Sequence, residues 1–315
     1  MDNVELSIII VNWNTRKLLA QCLASIYAHP PAGTFEIFVV DNASGDGSAQ
    51  MVLSEFPQVY LIENAENIGF ARANNQALAR CQGRYALLLN SDAQLLPGSL
   101  DKVVRFMDRH PRAGIAGVRL LNSDGTFQAS YTPFPTLWSE ILILSTLGRR
   151  LIRATFPSYG PQVEEGAHKI RGYVEGAFLM TRGQALEQIG GLDEHIFMYA
   201  EEVDWCYRFH QAGWEVWYLP QAPIIHHGGQ SSKKRRSRME AELYRSRIYF
   251  FRKHYGKVLA FALKILIFGI TLPKILFHSA LRRVTGERCG RPTTNWQELR
   301  LALIGTEAPS QETAL

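Results

Sequence analysis

Short apolar runs alternate with amphipathic stretches along the first third of the chain. The runs are rich in β-branched residues, which is typical of strands buried on both faces of a parallel sheet. The stretches between them repeat apolar residues every three or four positions, the period of a helix that buries one face. The predicted strands are 6–11, 35–40, 59–63 and 85–89, and the predicted helices are 16–28, 49–56, 69–80 and 100–110.

This alternation of strands and helices determines the predicted fold class. It indicates βαβ units with right-handed crossovers, and therefore an α/β fold with a Rossmann-like, mostly parallel sheet flanked by helices. In such sheets, ligands bind outside the carboxyl ends of the strands. Asp41 directly follows the second predicted strand, and Asp92 comes shortly after the fourth. We therefore expect both carboxylates at the ligand-binding edge of the sheet.

The pattern is weaker in the remainder of the chain. Prolines interrupt the apolar stretches between residues 114 and 159, which predicts a variable, partly mobile region. Strands are expected again at 174–180 and 214–219, and helices at 182–189 and 201–212. We therefore expect one catalytic domain over residues 1–230.

Three shorter regions are expected after this domain. A basic segment and helix cover residues 231–256, and an apolar segment covers 257–285. Spanning a bilayer takes about 20 consecutive apolar residues, whereas two lysines and a proline interrupt this segment. We therefore expect it to lie in the plane of a membrane as an amphipathic helix. The last residues, 286–315, are expected to form a poorly ordered tail.

The composition adds three constraints. With 315 residues, of which 46% are hydrophobic and 20% charged, the chain can bury a sizeable core. The formal charge of +5 is mild, and the basic segment lacks interleaved aromatic residues for base stacking, so no nucleic acid is expected as a partner. The four widely spaced cysteines predict reduced thiols. The N-terminus runs directly into a predicted strand without a charged leader, so no secretory signal is expected.

Polar residues at two strand ends are candidate ligands for a nucleotide and a metal ion. Asp41 and Asn42 can accept and donate hydrogen bonds to a base or a ribose, although aspartate at this place is also a common helix cap. Asn90, Ser91 and Asp92 can hold a divalent cation that bridges a diphosphate, although all three are also turn formers. Their shared position at one edge of the sheet favours the ligand-binding interpretation.

Two further clusters bear candidate catalytic groups. Glu201, Glu202 and Asp204 open a predicted helix, where the helix dipole alone favours acidic residues. Alternatively, one of these carboxylates is a general base, and repulsion between neighbours raises the pKa of one of them. His226 precedes a histidine and two glycines, and imidazole is a common ligand of transition metal ions. Alternatively, the two histidines are an ordinary exposed pair at the surface. The basic run at 231–238 fits either phosphate binding or a solvated face.

These motifs, in this order, resemble glycosyltransferase family 2, specifically its bacterial rhamnosyltransferase-like branch. The resemblance covers roughly residues 5–255. The stretches that carry it are SIIIVNWN at 7–14, VVDNAS at 39–44, NIGFARANN at 67–75, LNSD at 89–92, GGLDE at 190–194 with residues 197–208, and residues 226–231. Each stretch is weakly specific alone, and the six together in register are strongly specific.

The resemblance implies a GT-A fold, a nucleotide-sugar donor, inversion at the anomeric carbon and Mg²⁺ or Mn²⁺ as cofactor. It implies that Asp41 holds the base, that Asp92 and His226 hold the metal ion, and that Glu202 is the general base with Glu201 and Asp204 as neighbours. The donor-binding set that it implies is Asn12, Asn14, Asp41, Asn42, Asn67, Gly69, Phe70, Asn74, Asn90 and Ser91. The residues that it implies near the diphosphate or the acceptor are Gly176, Trp205, Arg208 and Ser231.

Two positions depart from the usual pattern of this family. The family usually has Glu-Asp-x-Asp where this chain has Glu201-Glu202-Val203-Asp204, so the expected base is a glutamate with a longer side chain. Asn90 stands where many relatives have a first aspartate, so Asp92 would provide most of the protein charge at the ion.

The expected function is transfer of a deoxyhexose such as rhamnose, with dTDP-rhamnose as the favoured donor. The expected acceptor is a saccharide or a polyprenyl-linked saccharide in cell-surface polysaccharide synthesis, at the cytoplasmic face of a membrane. UDP-sugars, the linkage and the oligomeric state stay open. One alternative is a catalytically degenerate carbohydrate-binding or scaffold protein of the same fold. Another is a nucleotidyltransferase, which would have a Gly-rich loop where this chain has Asn12-Trp13-Asn14-Thr15.

Overall fold

A computed structural model of the chain describes residues 4–145, 166–228, 236–285, 299–300 and 302–303. The strands in these ranges are β1 (Leu6–Asn12), β2 (Phe35–Asp41), β3 (Tyr60–Glu63), β4 (Tyr85–Leu89), β5 (Ala93–Leu95), β6 (Ala113–Leu121), β7 (Phe127–Gln128), β8 (Tyr131–Pro133), β9 (His168–Ile170), β10 (Gly172–Val174), β11 (Phe178–Arg182) and β12 (Glu215–His226). The helices are α1 (Arg16–Ala28), α2 (Ser48–Glu55), α3 (Phe70–Leu78), α4 (Ser99–Arg109), α5 (Leu137–Leu144), α6 (Gly183–Ile189), α7 (Glu201–Gln211), α8 (Arg236–His254) and α9 (Lys257–Thr285).

Most of the strands form one mixed sheet with the order β3-β2-β1-β4-β11-β6-β12-β5. The strands β1 to β4 are parallel, as predicted, because each is joined to the next by a helix. The strand β11 is antiparallel to both β4 and β6, and β5 is antiparallel to β12. The short strands β8 and β10 form a second, two-stranded sheet. The predicted α/β class with a mainly parallel sheet is confirmed.

Helices cover both faces of the large sheet, because alternate residues of each strand point to opposite sides. Ile8 and Ile10 of β1 pack with residues of α1, α2 and α4 on one face. Ile9 belongs to the core of the other face, which also contains Trp205 of α7 and Phe250 of α8. Both cores consist almost entirely of fully buried aliphatic and aromatic side chains.

The prediction of an irregular region from residue 114 onward is wrong for its first part. Residues 113–121 form β6, which lies between β11 and β12 in the sheet. Its alanines and glycines gave little hydrophobic contrast and so concealed the strand pattern. Glycine is required at position 117, because a Cβ added there would lie only 2.4 Å from the Cβ of Val174. Glycine within a strand often marks such a close approach. The rest of the predicted region, from residue 146 to 159, lies outside the described residues.

Two other predicted boundaries are also wrong. The predicted strand at 174–180 is two strands, β10 and β11, separated by a break at Glu175. The strand predicted to end at residue 219 continues to His226, past Pro220 and Pro223. It does so through a shift in its pairing with β6 between Leu219 and Ile224, the kind of irregularity that allows proline within a strand. This extension brings His226 to the candidate site.

The predicted apolar segment forms most of α9. Within the described residues, the stretch Lys257–Phe277 of this helix is long and apolar enough to cross a membrane, with a mean hydropathy of 2.0. One face packs against the domain through buried Leu263 and Ile267. The opposite face exposes apolar side chains, including Phe261 at 64% and Ile265 at 57%. The helix is therefore packed against protein on one side only. Of the predicted tail, Leu299 and Ala302 are described and both are buried.

Candidate functional site

A hydrogen-bond network joins the carboxyl ends of β2 and β1 to the residues that follow β4. Asn12 lies opposite Asp41 in the β1–β2 register, and its side-chain amide donates to Asp41 Oδ1 at 2.8 Å. The backbone N–H of Ser44 donates to the other carboxylate oxygen at 2.9 Å. Thr15 Oγ1 donates to Asn12 Oδ1 at 2.6 Å and lies 2.9 Å from Ser91 Oγ. The structure thus brings together Asn12, Asp41 and Ser91, as predicted.

Asp92 and His226, the predicted metal ligands, are adjacent in the structure. The antiparallel pairing of β5 with β12 places Ala93 opposite His226, and the His226 Nε2 atom lies 3.2 Å from Asp92 Oδ1. Asn90 Nδ2 lies 3.3 Å from the same ring nitrogen. The backbone N–H of His227 donates to the Asp92 carbonyl at 3.0 Å, which fixes the two strands at this point.

These two side chains suit a divalent cation whose coordination is completed by other ligands. The His226 Nδ1 atom lies 2.6 Å from Gln128 Oε1, which can only accept, so Nδ1 carries a proton. In a neutral ring, Nε2 then presents a lone pair toward a carboxylate oxygen, an arrangement that a cation between them would stabilise. Within the described residues there is no group of three or more His, Cys, Asp or Glu side chains that could hold a metal ion. Asp92 and His226 could thus provide two ligands of a site whose remaining ligand oxygens would come from elsewhere.

The segment that contains Asn67, Gly69 and Phe70 packs on two other loops of the site. Asn42 Nδ2 donates to Asn67 Oδ1 at 3.3 Å and to the Gly69 carbonyl at 3.2 Å. The Phe70 N–H donates to the carbonyl of Phe197 at 2.9 Å. Gly69 has a φ of +90°, and a Cβ there would lie 2.8 Å from the same carbonyl oxygen, so only glycine fits. These contacts connect the predicted donor site with the loop before the acidic cluster.

Among the described residues, four that are not glycine have left-handed backbone conformations, and all four lie in these loops. They are Asn14, Ala43, Tyr199 and Ala200, with φ between 54° and 68°. Such conformations cost free energy and are concentrated at functional sites. Asn14 is held by hydrogen bonds to Ser44 and Gly45, and Tyr199 and Ala200 directly precede the acidic helix.

The acidic helix α7 begins next to the segment that precedes β11. A Cβ added at Gly176 would lie 3.9 Å from the Cβ of Glu202. The following residue, Ala177, accepts a hydrogen bond from the backbone N–H of Asn90 at 3.1 Å. The short segment of Gly176 and Ala177 therefore connects the surroundings of Asn90 with those of Glu202.

Glu202 and Glu175 line a cavity of about 200 Å³. Other side chains that line it are those of Glu140, Tyr173, Tyr199 and Arg247. Thr132 donates a hydrogen bond to Glu175 at 3.4 Å, and Arg247 forms an ion pair with the buried Glu140. The lining combines these polar groups with apolar side chains, and Arg247, the one cation among the described lining residues, is already paired, so the cavity suits a neutral group with both hydroxyls and apolar faces, such as a sugar.

Burial raises the pKa of several of these carboxyl groups. It raises the pKa of Glu202 to about 7, with the positive charge of Arg247 acting in the opposite direction. Burial, and then the charge of Glu202, raise the pKa of Glu175 to about 8. The same two causes raise the pKa of Glu201 well above its usual range, and its buried Oε2 atom has no hydrogen-bond partner among the described residues. Glu202 ionises at a lower pH than Glu175, and a pKa of about 7 suits a general base near neutrality.

Asp204 differs from the other two acidic residues of this cluster in its contacts and in the direction of its pKa shift. It is fully buried and accepts hydrogen bonds from Arg208 Nε at 2.8 Å and Lys253 Nζ at 2.6 Å. His254 Nε2 lies 2.7 Å from the same carboxylate. These contacts lower its pKa against the effect of burial. Asp204 therefore anchors α8 to α7, and its expected role as a neighbour of the base stays a prediction.

Three other residues that were expected to contact a ligand also have contacts within the protein. Trp205 is fully buried, and its indole N–H donates to the Gly190 carbonyl at 2.9 Å. Arg208 donates to Asp204 and to the carbonyls of Ile189 and Gly191, so its guanidinium is used to hold this turn. Asn74 is buried in α3 and donates to the Phe70 carbonyl at 2.9 Å. In this structure all three make contacts that stabilise the fold around the site, and their contact with a ligand stays a prediction. Ser231 lies outside the described residues.

Sequence reasoning missed three residues that the structure places at the site. Glu175 interrupts an apolar run, and this isolated acid was a signal that could have been used. Arg247 comes from α8, more than 40 residues beyond Glu202, and no local pattern indicates this contact. Gln128 reaches His226 across 98 residues of sequence.

Comparison with known proteins agrees with this geometry. Residues 7–167 match the family described as Glycosyl transferase family 2. The chain is 30% identical over 209 residues to a Mycobacterium tuberculosis protein named N-acetylglucosaminyl-diphospho-decaprenol L-rhamnosyltransferase, which covers 62% of this chain and 67% of that protein. It is 25% identical to the low-salt glycan biosynthesis hexosyltransferase Agl10 of Haloferax volcanii, over 89% of this chain and 87% of the relative.

Solved structures share the fold at low sequence identity. A mannosyltransferase from Pyrobaculum calidifontis, solved with GDP-Man and Mn²⁺, superposes with a TM-score of 0.57 at 16% identity, over 95% of this chain and 85% of that one. GalNAc-T7, solved with UDP, GalNAc and Mn²⁺, gives a TM-score of 0.55 at 15% identity, over 79% and 50%. These neighbours are GT-A glycosyltransferases, and the chain belongs to glycosyltransferase family 2.

Proposed function

We propose that this family 2 glycosyltransferase is a metal-dependent, inverting enzyme that transfers a deoxyhexose such as rhamnose. The donor is a nucleoside-diphosphate sugar, with dTDP-rhamnose favoured, and the acceptor is a saccharide or a polyprenyl-linked saccharide in cell-surface polysaccharide synthesis. The observation that carries the proposal is that Asp92 and His226 meet at the strand ends while Glu202, beyond Gly176, lines a cavity of mixed polar and apolar lining. The name of the 30% identical relative supports the choice of sugar and of lipid-linked acceptor.

The donor would bind at the strand ends. Asp41, which is held in place by Asn12 and Ser44, receives the base or the ribose, and the diphosphate lies toward Asp92 and His226. Asp92 and His226 would hold Mg²⁺ or Mn²⁺, which supplies positive charge to the leaving diphosphate. Because the pair needs further oxygen ligands, metal binding at this site would depend on the diphosphate of the donor.

The acceptor would enter the cavity beside Glu202. An acceptor hydroxyl gives its proton to the Glu202 carboxylate while its oxygen bonds to the anomeric carbon. The bond from that carbon to the diphosphate oxygen breaks, and the nucleoside diphosphate leaves on the opposite face with the electron pair, which gives inversion. Glu175, with the higher pKa, remains protonated at neutral pH and can donate a hydrogen bond to the acceptor.

The exposed face of α9 supports a position at the cytoplasmic surface of a membrane. Phe261 and Ile265 project away from the domain, while Leu263 and Ile267 are buried against it. A helix with one face on protein and an apolar opposite face suits insertion in the plane of the interface. This orientation would hold the cavity near lipid-linked saccharides.

The experiment that tests this function is a transfer assay with the Glu202→Gln variant. Wild-type protein is incubated with dTDP-rhamnose, Mn²⁺ and a polyprenyl-diphosphate-linked N-acetylglucosamine, and the product is detected by mass spectrometry. Loss of a general base should slow transfer by about 10²- to 10⁴-fold, with the fold intact. Glu187→Gln, an exposed substitution on α6, is the matched control and should transfer normally. Transfer by Glu202→Gln at the wild-type rate would refute the assignment of the base.

A further inference from the structure

The hairpin that joins β6 to β7 lies against the two histidines at the end of β12. Its turn is closed by the Gly125 N–H, which donates to the Asn122 carbonyl at 2.9 Å, and Gly125 has a φ of +79°. From this hairpin, Gln128 reaches His226 Nδ1 at 2.6 Å, and Ser123 Oγ lies 2.7 Å from His227 Nδ1. The hairpin therefore contacts both rings, and it meets His226 at the nitrogen that does not face Asp92.

The orientation of the Gln128 amide is determined by a second amide. Gln128 Nε2 donates to Asn122 Oδ1 at 3.1 Å. Asn122 Nδ2 in turn donates to Thr126 Oγ1 at 2.9 Å. With its N–H group directed to Asn122, Gln128 presents Oε1 to His226. An amide oxygen only accepts hydrogen bonds, so the Nδ1 atom of His226 must be the donor.

The proton on Nδ1 determines what the other ring nitrogen presents. A neutral imidazole carries one N–H, so its Nε2 atom has the lone pair. That atom lies 3.2 Å from Asp92 Oδ1, and Asn90 Nδ2, an amide donor, lies 3.3 Å from it. Without the Gln128 acceptor, the ring would gain a hydrogen bond by protonating Nε2, which would then donate to Asp92. In that tautomer the nitrogen cannot bind a metal ion.

We propose that Gln128 is a positioning residue that holds His226 in the Nδ1–H tautomer, so that Nε2 and Asp92 together form a preformed site for a divalent cation. The proposal rests on the metal site of the proposed function. It assigns a role to the β6–β7 hairpin, whose turn is exposed and rich in polar residues. Hydrogen bonds of this kind on a ligating histidine affect metal affinity by about 10- to 100-fold.

The first test observes the tautomer without metal or nucleotide. Protein labelled with ¹⁵N-histidine is studied by two-bond ¹H–¹⁵N correlation NMR at a pH where imidazole is neutral, and His226→Asn assigns the signal. Wild type should show an unprotonated Nε2. Gln128→Leu, which keeps the size of the side chain but removes the acceptor, should move His226 toward the Nε2–H tautomer. Gln128→Glu, which keeps an acceptor oxygen, should restore the wild-type signal.

The second test measures metal affinity by EPR titration of Mn²⁺ in the presence of dTDP, UDP or GDP. Gln128→Leu should weaken Mn²⁺ binding by about 10- to 100-fold, and Gln128→Glu should recover most of that loss. The control is Gln94→Leu, at a half-buried glutamine on the neighbouring strand β5 whose side chain contacts Gln21. It should bind Mn²⁺ as wild type does, and all variants are checked for an unchanged melting temperature.

The outcomes separate this inference from the proposed function. If Gln128→Leu leaves both the tautomer and the Mn²⁺ affinity unchanged, the positioning role is refuted. If wild type shows the expected tautomer but binds no Mn²⁺ with any nucleotide, the metal site of the proposed function is refuted, and the inference fails with it. A changed tautomer together with weakened Mn²⁺ binding supports both.

Discussion

The pKa of Glu202 predicts how transfer depends on pH. A general base acts only when it is ionised, and burial raises the pKa of this carboxyl from 4.5 to about 7. One pH unit below that value, roughly a tenth of the molecules carry the ionised base, and one unit above it roughly nine tenths do. With saturating donor and acceptor, transfer should therefore rise about tenfold between pH 6 and pH 8. A glutamate with an ordinary pKa would be fully ionised across this interval, and the rate would be flat.

The assay follows initial rates of transfer across this interval at saturating substrate, with Mn²⁺ held constant. Glu175 is coupled to the base, because the charge of Glu202 contributes to raising the pKa of Glu175 to about 8. Glu175→Gln keeps this neighbour neutral, so the rise below neutrality should remain. A flat profile from pH 6 to pH 8, with a loss of activity only near pH 4.5, would show that Glu202 has an ordinary pKa or is not the base.

Two further predictions separate the fold from the membrane surface. Asp204→Asn leaves Lys253 and its neighbours without the buried carboxylate that they bind. This variant should lower the free energy of unfolding by roughly 3 kcal/mol or more. Urea denaturation measures this change, and a change below about 1 kcal/mol would contradict the anchoring role. Replacing Phe261 and Ile265 together by serine should reduce flotation with anionic liposomes, since each exposed apolar side chain contributes up to about 1.5–3 kcal/mol on insertion. The same change at Leu53, an exposed apolar residue on α2, should have no effect, and unchanged flotation of the double variant would refute the in-plane helix.

The first part of the fold could be predicted from the sequence because its physical signals are local. The helix Arg16–Ala28 and the strand Tyr85–Leu89 have the predicted bounds, since βαβ units require apolar runs and apolar stripes of fixed period. The strand β6 could not be predicted in this way. Its alanines and glycines have little hydrophobic contrast, and its position is set by packing against Val174, far along the chain.

The candidate site was predictable where a motif and a strand end coincide. Asp41 and Asp92 lie at strand ends, as the predicted topology placed them, whereas His226 reaches Asp92 through an extension of β12 that was not predicted. For Trp205 and Arg208, a motif does not tell which face of a helix meets a ligand and which holds the fold, and in the structure both bond to backbone carbonyls of the protein. The role of Gln128 comes from a contact between distant strands, and neither the residue type nor its neighbours reveal it.

The measurement that most directly tests the central claim is nucleotide binding with and without metal. Melting temperatures are recorded with dTDP, UDP and GDP, each with and without Mn²⁺, for wild type and for Asp92→Asn. A ligand that binds only the folded state raises the melting temperature, so we expect a Mn²⁺-dependent increase with one nucleotide in wild type and its loss in Asp92→Asn. If no nucleotide shifts the melting temperature of well-folded wild type, or if the same shift occurs without metal and in Asp92→Asn, the account of a metal-dependent donor site is contradicted.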